Sequence, residues 1–109
     1  MKEAILYKKL NGKVQCVACR RRCILEEDQI GFCGVRKNVR GKLRLLVHSL
    51  PNAVNVDPIE KKPLFHFLPG SLALSIGTQG CNFACQFCQN YDLSQRREMI
   101  GVKLTPRQA

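Results

Sequence analysis

No stretch of this 109-residue chain approaches the ~20 consecutive apolar residues that a membrane-spanning helix needs. The amino-terminal MKEAILYKKLNGK is too short and too charged for a secretory signal, so the sequence predicts a soluble chain in a reducing cytoplasm. Internal repeats and low-complexity tracts are missing, and the length allows one domain or two very small ones. Aromatic residues make up only 6% of the chain and hardly interleave with its basic clusters, which argues against a stacking platform for single-stranded nucleic acid. Acidic residues are scarce as well: 8 Asp and Glu stand against 18 Lys and Arg, for a net charge of +10. The basic residues gather at 20–22, 36–44, 61–62 and 96–97. That balance is compatible with nucleic acid or an anionic substrate, and equally with a solvated basic face.

What the chain does have is cysteine. Its seven cysteines are an odd number, and a simple disulfide framework would leave one over. They divide into Cys16, Cys19, Cys23 and Cys33, then Cys81, Cys85 and Cys88. A four-plus-three partition in a reducing compartment fits two metal sites better than disulfides. The later set, C-x3-C-x2-C within GCNFACQFCQN, puts three thiolates on one short loop. Electron-transfer clusters take four Cys, one per iron. Three thiolates leave one iron open to a small molecule and so suggest chemistry at the cluster. A zinc site there would want a fourth ligand, and none lies nearby unless His66 turns back. The upstream set, C-x2-C-x3-C-x9-C, matches a closed four-thiolate zinc site. It equally matches an auxiliary 4Fe-4S cluster; the lack of a fifth Cys or a Cys-Pro ending leans toward zinc.

Along the chain, residues 1–13 read as a helical turn or a lead-in strand. Residues 16–36 read as a metal-tied loop module, with Gly31 and Gly34 flanking Cys33. Residues 42–49 predict a strand, Pro51 and Asn52 a turn, and residues 53–56 a second short strand. Pro58, Pro63, Pro69 and Gly70 punctuate an extended connector. Residues 72–76 predict a short buried strand of the kind found inside parallel sheets. Residues 82–90 then wrap a cluster, followed by a loop containing Asp92 and Ser94. Thr105 and Pro106 look like an N-cap and N1 of a helix.

The Cys81 triplet and its flanks, DPIEKKPLFHFLPGSLALSIGTQGCNFACQFCQNYDLSQ, resemble the radical S-adenosylmethionine (SAM) superfamily, whose signature is C-x3-C-x-aromatic-C, with Phe87 at the aromatic position. The branch resembled is that of the pyruvate formate-lyase activating enzymes, and within it the radical SAM component of the AmmeMemoRadiSam system. The upstream Cys-rich segment and VNVDPIEKKP extend the likeness over most of the chain. One departure is Arg20, where the family commonly has Pro after the second Cys. The resemblance implies an α/β fragment: an N-terminal Cys-rich metal-tied module plus the first βα element of a partial β/α barrel. Its divisions are residues 1–41 (Cys-rich module with lead-in), 42–71 (strand pair and Pro-rich connector) and 72–109 (first strand, cluster loop and start of the first helix).

The resemblance also implies a 4Fe-4S cluster on Cys81, Cys85 and Cys88, with SAM on the open iron, Phe87 packing near its adenine, and Gly80 letting the backbone approach. The cluster breaks SAM reductively to a 5'-deoxyadenosyl radical. A complete eight-unit barrel takes ~250 residues, so the chain is expected to be inactive alone. It would need a reductant, an unidentified substrate and the rest of the barrel in the same or a separate chain. Two other readings stay open, a metal-binding module acting with a separate chain and a basic zinc-dependent nucleic-acid-binding domain. His48 and His66 read first as structural histidines. Glu60, Lys61 and Lys62 are polar contacts or an exposed charged turn, and Asn90 and Tyr91 brace the loop.

Overall fold

A computed structural model of the chain describes residues 1–95 and 101–109, so the basic pair Arg96 and Arg97 lies outside the described residues. Three small antiparallel sheets account for nearly all of the regular structure among the described residues. In the first, β1 (Lys2–Glu3) and β5 (Arg36–Val39) flank β6 (Lys42–Leu45). In the second, β3 (Lys13–Cys16) lies between β2 (Tyr7–Leu10) and β4 (Ile24–Leu25). The third pairs β7 (Ala53–Pro58) with β8 (Leu72–Gly77).

Turn chemistry sets the first two registers. Leu10 faces Lys13 across Asn11 and Gly12, the latter at φ +71°. Val39 faces Lys42 across Arg40 and Gly41, both at positive φ as a two-residue I′ turn requires. Arg40 is held in that unfavourable region because its N–H donates to Glu27 Oε1 at 2.8 Å, while Gly41 N–H donates to Asn38 Oδ1 at 3.0 Å. Asn38 is fully buried, and its Nδ2 also donates to the Leu25 carbonyl at 3.0 Å, which ties the β5–β6 hairpin to β4.

The core is small. Val14 and Cys16 point inward from β3 with the period of two that a strand imposes. They pack with Leu25 and Leu43, and Ala4, Tyr7, Ala18 and Cys23 close over them. The radius of gyration is 16.2 Å, against about 13 Å for a compact domain of this length. The chain is elongated, 53 × 34 × 23 Å, and much of its apolar surface stays uncovered.

The α/β barrel fragment is therefore corrected to an antiparallel β architecture. Residues 72–76 do form a strand that runs into the Cys81 loop, as the sequence suggested. Their partner is β7 in antiparallel register, from Ala53 opposite Gly77 to Pro58 opposite Leu72. Every strand pairing among the described residues is antiparallel, so no parallel βα unit is present among them, and the helix after the Cys81 loop is α1 (Tyr91–Gln95). Nor is β8 buried: Leu72, Leu74 and Ile76 are 69%, 55% and 45% exposed. The open choice at residues 1–13 resolves to strands. In the stretch read as a metal-tied loop module, β3 ends at Cys16 and the two-residue β4 pairs with β3. The loop expected around Asp92 and Ser94 is the short helix α1. At Thr105 a single turn closes, with Gln108 N–H donating to the Thr105 carbonyl at 2.9 Å. No helix among the described residues is long and apolar enough to cross a membrane.

Candidate metal centre

The second sheet and the turn after it set the four upstream cysteines around one cavity. Cys16 ends β3, and its N–H donates to the Cys23 carbonyl at 2.9 Å, so the two sit opposite each other. Cys19 lies on the arc between them, where Arg22 N–H donates to the Cys19 carbonyl at 3.3 Å with Arg22 at φ +48°. Cys33 comes from the next turn, closed by Gly34 N–H to the Gly31 carbonyl at 2.9 Å. That turn abuts Cys23: a Cβ on Gly31 would lie 3.8 Å from the Cys23 sulfur. Cys16, Cys19, Cys23 and Cys33 line a cavity of about 450 Å³, together with Leu25, Val35 and Arg36. The Nε of Arg36 is buried without a hydrogen-bond partner.

The same cavity is walled on its far side by Thr78, Gln79, Gly80, Cys81 and Asn82. Cys81 thus stands with the upstream cysteines, whereas Cys85 and Cys88 lie off that cavity. Gly80 makes the join. It adopts φ +98°, and a Cβ there would fall 2.5 Å from the Cys33 carbonyl oxygen and 2.4 Å from Val35 Cγ1. Gly80 was expected to let the backbone approach a cluster; the structure sets it against the upstream Cys turn. Arg21 adds a second tie: its Nε donates to the Asn82 carbonyl at 2.6 Å, and its guanidinium lies 3.5 Å from the centroid of the Phe32 ring.

The Cys81–Cys88 loop is closed at its base. Gln79, only 3% exposed, accepts from Asn52 Nδ2 and donates from Nε2 to the Asp92 carbonyl at 2.7 Å. Gly80 N–H donates to the Leu93 carbonyl at 2.9 Å. Gln95 Nε2 reaches back to the Phe83 carbonyl at 2.9 Å. Within the loop, Phe83 N–H donates to the Cys81 sulfur at 3.4 Å, and Cys88 Sγ lies 3.2 Å from Ser94 Oγ. Cys85 is exposed, and Phe87 is 87% exposed. All seven cysteines are free thiols. Among the described residues, no three Cys, His, Asp or Glu side chains converge on a point that would hold a single ion. In donor chemistry the residues fit thiolate-held metal: free sulfurs on both segments, two of them already near N–H or O–H groups.

The remaining sequence candidates fall outside both sulfur groups. His66 is exposed in the 59–71 connector, and His48 Nδ1 pairs with Ser49 Oγ at 3.0 Å. Glu60 Oε1 accepts from Gly70 N–H at 2.9 Å and shapes the connector, while Lys61 pairs with Asp57 at 3.3 Å on the surface. Asn90 starts α1, its carbonyl accepting from Ser94 N–H at 2.8 Å. Gln79 and Arg21 were not singled out in the sequence. The one hint for Gln79 is a polar residue between two glycines at a strand exit, and for Arg21 a place among the cysteines.

Compared with known proteins, the chain is 46% identical over 96 residues to the uncharacterized protein MJ0808 of Methanocaldococcus jannaschii. The match takes in 87% of this chain and 29% of that protein, so the chain spans less than a third of its relative's length. No family model and no solved structure matches it.

Proposed function

We propose that this chain is the cluster-bearing portion of a radical SAM enzyme, working with further polypeptide that completes the active site. The observation that carries the reading is a loop with free thiols at Cys81, Cys85 and Cys88, entered from β8 through Gly80 and held at its base by Gln79. Three thiolates, one per iron, leave the fourth iron of a 4Fe-4S cluster without a protein ligand. Cys81, Cys85 and Cys88 would hold such a cluster, which would pass one electron from an external reductant to SAM and so divide it into methionine and a 5'-deoxyadenosyl radical.

The chain's own residues have simpler duties. Cys81, Cys85 and Cys88 bind iron, and the Phe83 N–H orients the Cys81 sulfur by donating to it. The Gln79 amide and the Gly80 N–H fix the two ends of the loop against α1. Phe87 offers an uncommitted aromatic face beside the last ligand, suited to an adenine ring. The upstream Cys16, Cys19, Cys23 and Cys33 hold a second metal centre, zinc or a cluster. Free thiols throughout suit a reducing cytoplasm. The greater length of the relative supports a division in which substrate contacts come from outside this segment.

The test is anaerobic reconstitution with iron and sulfide, followed by electron paramagnetic resonance of the reduced protein with and without SAM. The expected result is a cluster signal that changes when SAM is added and is lost in the Cys81→Ala/Cys85→Ala/Cys88→Ala variant. Zinc without iron at those three cysteines would end the proposal.

A further inference from the structure

The sequence divides the cysteines four and three, yet the fold places five of them around one cavity. Cys16, Cys19, Cys23 and Cys33 line it from the upstream side and Cys81 from the other. The wall between them is backbone: Gly80 sits directly on the Cys33 carbonyl and the Val35 side chain, with no room for a Cβ. Arg21, between two of the upstream cysteines in sequence, donates to the Asn82 carbonyl next to Cys81. The core beneath this arrangement is Val14, Cys16, Leu25 and Leu43, and Cys16 belongs to both core and cavity. So small a core does little to hold the Cys19 arc and the Cys33 turn at fixed separation, a task that metal–thiolate bonds perform in small modules.

We propose that a thiolate-held metal centre in this cavity, on Cys16, Cys19, Cys23 and Cys33, is the seat that positions Cys81 and hence the three-Cys loop. The proposal rests on the reading of residues 81–88 as a cluster loop only for its consequence; the coupling itself concerns Cys81 alone. Four thiolates around a divalent ion or a cluster leave net negative charge, and Arg36 lines the cavity with its buried Nε–H unused by any protein acceptor. With the centre in place, the Cys33 turn is fixed and the Gly80–Cys33 contact fixes residue 81. Without it the Cys33 wall loosens, and Cys81 moves with it. Zinc and an iron–sulfur cluster share this thiolate chemistry, and the experiment separates them.

The full chain, reduced and stripped of metal, is exposed to an alkylating reagent, and the rate at each cysteine is read by peptide mass mapping. One arm receives zinc alone and the other iron with sulfide, anaerobically. In the arm whose metal fits, Cys16, Cys19, Cys23, Cys33 and Cys81 are expected to slow together by at least about tenfold. If zinc is that metal, Cys85 and Cys88 keep their metal-free rates in the zinc arm. With zinc bound and no iron on Cys81, Gly80→Ala is expected to leave the four upstream thiols protected while Cys81 returns to its metal-free rate, which a general loss of fold would not produce. Arg21→Gln is the milder second variant, expected to release Cys81 in part. Cys81 unchanged while the upstream four are protected overturns the proposal, as does the absence of upstream protection in both arms. The cluster-loop reading fails separately: iron and sulfide would then leave Cys85 and Cys88 at metal-free rates while Cys81 still follows the upstream set.

Discussion

Gly80 and Cys33 touch through their backbones: a Cβ added to the glycine would lie 2.5 Å from the cysteine's carbonyl oxygen. Two segments far apart in sequence, each carrying cysteines, therefore share one wall.

Replacing Gly80 by Ala is expected to destabilise the chain by about 2–4 kcal/mol, since a φ of +98° costs a non-glycine residue on the order of 1–3 kcal/mol before the collision with Cys33 and Val35 is added. Gly77→Ala is the contrast. Its new methyl would meet Leu93 Cδ2 at 3.2 Å and Ala53 Cβ at 3.4 Å, and the leucine end can yield. A cost below about 1 kcal/mol is expected there. Urea denaturation of both variants gives the comparison, and equal losses would mean that the Gly80 contact is not what joins the segments.

Gln79→Leu should cost about 1–3 kcal/mol. The side chain is buried and joins the Asn52 turn to the Asp92 carbonyl at the start of α1, and a leucine would remove both of these hydrogen bonds. Faster hydrogen exchange at Leu93 and Ser94 in this variant, with β2 and β3 unaffected, would place the loss at the loop base.

The strands expected at residues 42–49, 53–56 and 72–76 were legible, the first only as far as Leu45, because each is a short apolar or alternating run bounded by Gly or Pro. Their pairing was not. β8 joins β7 across a connector whose turn depends on Gly70 at φ +80° and on Glu60 accepting the Gly70 N–H, contacts that no local pattern announces. An apolar run such as LALSI reads as buried on both faces, yet antiparallel pairing leaves its leucines in solvent. The helix over Tyr91–Gln95 escaped notice because YDLSQ has no helical signal of its own, and it is held from outside by Gln79 and Gly80. For the site, the thiols were legible as ligand types. The grouping of Cys81 with the upstream four was not, because it comes from a tertiary contact at Gly80.

The exposed Glu3 and the half-buried Tyr7 give a pH-dependent signature at the start of the chain. Tyr7 Oη donates to Glu3 Oε2 at 2.6 Å; that bond first, then the Lys42, Arg44 and Lys9 charges, hold the carboxyl below its ordinary value. The same bond holds the Tyr7 hydroxyl above its ordinary value. For Glu3 the depressed value means that its contribution is present above the unfolded carboxyl pKa and disappears as pH falls through the folded one. For Tyr7 the raised value means the reverse, with the contribution lost as pH rises through the folded phenol pKa. In Tyr7→Phe the Glu3 carboxyl should titrate at higher pH, as read by NMR. An unchanged titration would show that the lysine and arginine charges alone set it.

The β7–β8 ribbon has one wholly apolar face in solvent. Val54 lies opposite Ile76, Val56 opposite Leu74 and Pro58 opposite Leu72, and directly opposed residues in an antiparallel pair share a face. All six are exposed, while the other face carries Ala53, Asn55, Asp57, Ala73, Ser75 and Gly77 and packs Gly77 near Leu93. A contiguous apolar patch of this kind marks an interaction surface, and covering it releases about 25 cal/mol per Å² of apolar area. The isolated chain is therefore expected to self-associate as its concentration rises, and to bind a hydrophobic dye. Val56→Lys with Leu74→Lys should suppress both without loss of folded structure, because neither side chain is in the core. Sedimentation equilibrium across a concentration series is the measurement. A wild-type chain that stays monomeric throughout and leaves the dye dark would show that this face does not drive association.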